Sequence, residues 1–157
     1  MDYKKFTETL YIDKKGKSPS FYTNFSFQTH SLEFSVRFLK NYSKKFKSDV
    51  RICFHPNLDH ELHAMIILQN KFNHYLPHKH PYVGDTILVC KGKLLAKIYN
   101  NLGKVTEENI IKQNEIYLMP NNVYHCFFPL SKQVIYLEVK PGPFKKFGKS
   151  IFPKWTT

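Results

Sequence analysis

The chain has 157 residues, 42% of them apolar and 16% aromatic, and a formal charge of +12. That composition supports one folded domain with a real core and excludes a disordered polar chain. The positive balance allows nucleic acid, an acidic membrane surface or an anionic small molecule as partner, but the lysines stand in short scattered groups (Lys14-Lys15, Lys44-Lys45-Lys47, Lys145-Lys146-Lys149). Without a basic helix or an aromatic–basic motif, neither nucleic acid nor membrane is the expected partner, and most of the charge reads as a solvated surface.

Residues 1–30 are aromatic and polar without a sustained period, and read as strand and loop, an edge or a dimer arm. The opening Met1–Glu8 stretch has no apolar core of signal-peptide length, and the aliphatic run Ala64–Leu68 is too short to span a bilayer. A soluble, cytoplasmic protein is expected. From Ser31 to Phe46 the period changes: Leu32, Val36 and Leu39 share a helical face, and Ser31 is placed to cap it. Beyond Asp49 the pattern turns strand-like. Short apolar segments follow at Val50–Phe54, His63–Leu68, Thr86–Cys90, Leu94–Tyr99, around Ile110–Ile111, at Ile116–Met119, Val123–Phe128 and Val134–Val139. Turn residues separate them, among them Lys91-Gly92-Lys93, Asn100–Gly103, Pro120-Asn121-Asn122 and Pro141-Gly142-Pro143. Many short strands without alternating helices predict a mainly β sandwich or barrel. The expected organisation is an extension over 1–48 carrying one helix, a barrel over 49–144 and a basic tail over 145–157. Cys53, Cys90 and Cys126 are odd in number and lie in apolar settings, which fits reduced core thiols.

The chemistry concentrates in Pro77–Asp85. In an extended strand residues two apart share a face, so His78 and His80 point together while Lys79 points away. Asp85 can return to that face across the turn Pro81–Gly84. Two imidazoles and a carboxylate converging on one point suit a divalent transition metal such as Zn, Fe, Ni or Mn. His125, just after a Pro-Asn-Asn turn, is the candidate fourth ligand. For Asp85 the alternative is a turn cap or an acceptor that orients a histidine.

These residues resemble the two motifs of the cupin superfamily. The first, His-x-His, four residues, Glu, six residues, Gly, is met by His78, His80, Asp85 and Gly92, with Asp in place of Glu. The second, Gly, five residues, Pro-x-Gly, two residues, His, three residues, Asn, is met by Pro120 and His125. Asn114 and Asn122 stand at its two glycine positions, a mild change because Asn tolerates positive φ, and Pro129 stands at its Asn. The wider pattern Arg51–Pro56, His63-Ala64-Met65, Tyr75–His80 and Lys140–Phe144 resembles the WbuC family of cupin-fold metalloproteins. That resemblance implies a jelly-roll β-barrel, one bound divalent metal ion, a homodimer with residues 1–30 as exchange segment, and a place in surface-polysaccharide (O-antigen) synthesis.

Around the site, His55 and His63 flank a strand that can line the barrel mouth, as general base or substrate donor, or as hydrogen-bonded structural histidines. Arg51 fits a clamp for phosphate or carboxylate, or an ion pair. Glu138 reads as an interior acid/base or a buried partner for Arg51. Tyr75, Tyr82 and Tyr124 border the site as ligand contacts. His60 and His74 read as loop residues, and Cys126 faces away from the metal by alternation. Three functions compete. The first is a metalloenzyme using the ion as Lewis acid on an anionic sugar or nucleotide-sugar, or as an iron dioxygenase. The second is a non-catalytic sugar-binding module. The third is a metal-free epimerase, which the intact His-x-His argues against.

Overall fold

The computed structural model describes residues 2–15, 18–23, 30–73 and 75–156, so the reading of His74 falls outside them. Ser31 caps helix α2 (Leu32–Phe46) as expected, its Oγ accepting from the Phe34 N–H, and Lys47 ends it in the left-handed region. A short helix α1 (Tyr3–Glu8), capped by Asp2, precedes it in a stretch read as strand and loop. Its six residues are too few to show a helical period; the buried Phe6 anchors it to the core, with Tyr3 packed beside it.

The described residues form ten strands, of which the last eight follow the predicted segments and the first two lie in the stretch read only as strand and loop. They are β1 (Leu10–Asp13), β2 (Ser20–Thr23), β3 (Val50–Cys53), β4 (Leu62–Asn70), β5 (Asp85–Lys91), β6 (Lys93–Tyr99), β7 (Val105–Lys112), β8 (Ile116–Met119), β9 (Tyr124–Pro129) and β10 (Gln133–Pro141). Seven form a sheet in the order β1-β2-β3-β4-β10-β5-β8, and three form a second sheet in the order β7-β6-β9. The extension is continuous with the barrel: β2 pairs parallel with β3, and β1 pairs with β2 in the same chain.

Period-two alternation divides the core. Met65, Ile67, Ile87, Val89, Leu94, Ala96, Met119, Phe127, Val134 and Tyr136 fill the barrel interior. Their neighbours of opposite parity, Ile52, Ile66, Leu68 and Ile135, face outward, where Phe38 and Leu39 of α2 and Phe6 of α1 cover them. Each fully buried aliphatic contributes roughly 1.5–3 kcal/mol. The predicted asparagines occupy the strained turns, with φ of 67° at Asn114 and 57° at Asn122.

Gln69 is buried at one end of the interior, where its Oε1 accepts from the Tyr136 hydroxyl, and the titratable ends of the β4, β5 and β10 rows gather at the other. The inward row of β10 runs Val134, Tyr136, Glu138, Lys140; that of β4 runs Ile67, Met65, His63; that of β5 runs Val89, Ile87, Asp85. The antiparallel registers Tyr136↔Ile67, Lys140↔His63 and Tyr136↔Val89 bring these polar ends together. Among the described residues, no helix is long and apolar enough to cross a membrane. All three cysteines are free, and burial pushes the Cys53 and Cys126 thiols up to about 12.

Candidate metal centre

His78 and His80 sit just before β5, on a segment held at both ends. Upstream, the buried Asp49 carboxylate accepts from the Asn70 N–H (2.8 Å), Asn70 Nδ2 (3.0 Å), Asn73 Nδ2 (2.8 Å) and the Tyr75 hydroxyl (2.8 Å). Downstream, His78 and His125 exchange both backbone hydrogen bonds, at 3.0 and 2.9 Å, and the His80 carbonyl accepts from the Asn122 N–H at 2.7 Å. The Pro120–Asn122 turn therefore sets the His125 strand against the His-x-His strand.

The ligand-capable atoms of His78, His80 and His125 lie within 4.8 Å of one another, a cluster that can hold a metal ion. Asp85 Oδ2 lies 3.6 Å from His80 Nε2 and 3.7 Å from His125 Nε2. Bonds of about 2.0–2.2 Å bring the donors round an ion to roughly 3–3.6 Å from each other. The carboxylate spacing is already near that range, and an imidazole spacing of 4.8 Å must contract by roughly 1–2 Å.

The imidazoles are prepared for this role. Each Nδ1 faces a backbone carbonyl: Leu76 at 3.0 Å for His78, Lys149 at 3.5 Å for His80, Val123 at 2.8 Å for His125. A ring that donates through Nδ1 presents a lone pair at Nε2. Burial lowers the pKa of His80 and of His125 to about 4, so both are neutral near pH 7. Burial, then Glu138, pushes Asp85 up to about 7 against the opposing Lys140. Its Oδ1 is buried without a hydrogen-bond partner in the structure, although Lys140 Nζ stands 3.7 Å away. Such a carboxylate is costly in isolation and is stabilised by a cation.

Lys140 is the residue that sequence reasoning missed. Its Nζ bonds Glu138 Oε1 at 2.8 Å, with only 10% and 14% of the two side chains exposed. Burial alone would raise the Glu138 pKa, but Lys140, and then Arg51, hold it below the usual carboxylate range. The ion-pair partner of Glu138 is thus Lys140, not Arg51 as the sequence allowed. Lys140 follows Glu138 on the same inward row, so alternation was the available signal. Its meeting with Asp85 depended on the β5–β10 register.

The other candidates lie around this centre. Arg51 donates to Ser18 Oγ through Nε (3.2 Å) and Nη2 (2.8 Å). His55 and His63 stack in parallel with centroids 4.1 Å apart, and His55 Nδ1 faces the Ala64 carbonyl at 3.1 Å. Burial, then His63, lowers His55 to about 4; burial, then Lys140, lowers His63. The Tyr75 hydroxyl is turned to Asp49, Tyr124 carries Lys79 on its face at 4.8 Å, and Tyr82 is exposed. His60 is an exposed loop residue whose Nδ1 faces the Leu62 carbonyl, and Cys126 donates to the Tyr75 carbonyl at 2.7 Å.

No family model matches the chain, and no curated protein sequence matches it. Solved structures do. KdgF from Halomonas sp. superposes with a TM-score of 0.50 at 13% identity, over 60% of this chain and 79% of that one. Oxalate oxidase, in complex with the substrate analogue glycolate, gives 0.46 at 21% identity, over 59% and 46%. Procruciferin, the 11S globulin of Brassica napus, gives 0.46 at 17% identity, and the match spans 21% of its length. The KdgF likeness identifies the fold as the cupin jelly-roll barrel.

Proposed function

We propose that the protein is a metal-dependent cupin acting on an anionic sugar or nucleotide-sugar intermediate of surface-polysaccharide synthesis. The observation that carries the metal part is the set of three imidazoles whose Nδ1 atoms all face backbone carbonyls, beside an under-bonded buried carboxylate. His78, His80, His125 and Asp85 would hold the ion. A divalent ion there supplies a Lewis acid for a carbonyl or enediol oxygen.

The chain's own residues supply the rest. Lys140 offers a buried ammonium beside the ligands, suited to a phosphate or carboxylate of the substrate. Glu138, held ionised by Lys140, is a weak base whose part is to fix that ammonium. His55 is neutral, and its Nδ1 is engaged by Ala64, which leaves Nε2 as the basic nitrogen for moving a proton. The sugar substrate rests on the likeness of the sequence to WbuC proteins, and the net charge of +12 suits a phosphorylated one.

The test is elemental analysis of protein purified without added metal or chelator, wild type beside His78→Ala/His80→Ala. Near-stoichiometric metal in the wild type and its loss in the variant are expected. The loaded protein is then incubated with sugar phosphates and nucleotide-sugars, followed by thermal shift and product analysis. Turnover supports the enzyme, and a shift without turnover supports a binding module. Absence of metal from both proteins overturns the proposal.

A further inference from the structure

The three imidazoles reach their carbonyls by different routes. His78 and His125 use carbonyls two residues back, Leu76 and Val123. For His80 the equivalent carbonyl belongs to His78 and is already taken by the His125 N–H at 2.9 Å. His80 Nδ1 instead faces the carbonyl of Lys149, 69 residues onward. The segment bearing that carbonyl is held firmly. Lys79 N–H donates to the Ile151 carbonyl at 3.0 Å, and Ile151 N–H donates to the Lys79 carbonyl at 2.9 Å. Phe152 lies 6.0 Å from the His78 ring. Trp155 packs against Tyr99 at 5.4 Å and Tyr124 at 6.0 Å. It also lies so close over Gly103 that a Cβ there would meet its ring at 2.9 Å.

We infer that the C-terminal segment Lys149–Trp155 is a positioning element of the metal centre, fixing the rotation and tautomer of His80 through the Lys149 carbonyl. The inference rests on the metal-centre reading. An imidazole whose Nδ1 proton has no acceptor divides between tautomers and rotamers, and only one of these presents Nε2 to the ion. Docking of Ile151 and Trp155 therefore governs the ligand His80 through the backbone carbonyl of Lys149.

Two full-length variants release the segment: Ile151→Pro removes the N–H given to Lys79, and Trp155→Ala removes the anchor over Gly103. Lys149→Ala keeps the carbonyl and serves as control. Trp155 is the sole tryptophan, so its emission reports undocking in Ile151→Pro. The first readout is long-range nitrogen–proton NMR of the imidazoles in metal-free protein, with His78 and His125 as internal references. The second is zinc affinity by competition with a chelating dye. The expected result is a mixed His80 tautomer in both released variants, unchanged His78 and His125, and zinc affinity down roughly 10–100-fold, with Lys149→Ala like wild type. A His80 that stays in the Nδ1–H form, with zinc affinity within about twofold of wild type, overturns the inference. If Ile151→Pro does not fold, Trp155→Ala carries the test. If wild type binds no zinc, the metal reading fails separately, and the His80 tautomer alone decides.

Discussion

Replacing Lys140 by Met removes the cation that two buried carboxylates share. Unit charges 2.8 Å apart, as in Lys140–Glu138, attract by roughly 6 kcal/mol at an effective dielectric of about 20. The desolvation of both groups offsets most of that gain. Leaving one buried partner uncompensated nevertheless costs about 3–5 kcal/mol. For a chain of this size each kcal/mol moves Tm by roughly 2–4 °C, so Lys140→Met is expected to lower Tm by about 10 °C near pH 7. The sign with pH is definite. In wild type the depressed Glu138 pKa stabilises the fold above the ordinary carboxylate range, and that contribution is lost as pH falls through the folded value. Without Lys140 burial raises the pKa instead, so the difference between variant and wild type narrows as pH falls and Glu138 takes up a proton. Removing both charges, in Lys140→Met/Glu138→Gln, is expected to recover most of the loss. Calorimetry on chelator-treated protein at several pH values measures all of this. A Lys140→Met protein within about 2 °C of wild type, or a double variant no more stable than the single, refutes the argument.

The metal-free fold is expected to lose stability as pH drops from about 6.5 towards about 4, because burial lowers His55, His80 and His125 to about 4 while their unfolded forms take up a proton first. Urea midpoints across that window show it as a falling series, and added zinc flattens the upper part. Gly84→Ala drives a Cβ into the Met119 carbonyl, beside the residue that starts β5. It is expected to cost more than about 2 kcal/mol in chemical denaturation and to weaken metal binding through displaced Asp85. At Asn122, φ of 57° makes Gly as good as Asn. Asn122→Gly is expected within about 0.5 kcal/mol of wild type and Asn122→Val about 1–2 kcal/mol below it, by the same assay.

Several features of this protein are local, and the sequence determined them. The His78–His80 pair on one strand face follows from the two-residue period, and helix α2 from its apolar spacing and Ser31 cap. The left-handed turns at Asn114 and Asn122 follow from steric limits on φ, and the strand segments from turn residues that interrupt apolar runs. Each needs only neighbours within a few residues. Tertiary structure decided the rest, because it depends on register and on contacts closed over long loops. Alternation put Glu138 and Lys140 in the interior, but only the antiparallel seating of β10 against β5 set Lys140 beside Asp85. Nothing local sent the Tyr75 hydroxyl to Asp49 or Arg51 to Ser18, 33 residues away. The acceptor for His80 came from the tail because the nearer His78 carbonyl was already spent on pairing with His125. A backbone group has finite hydrogen-bonding capacity, and which partner takes it is settled only when the whole chain is folded.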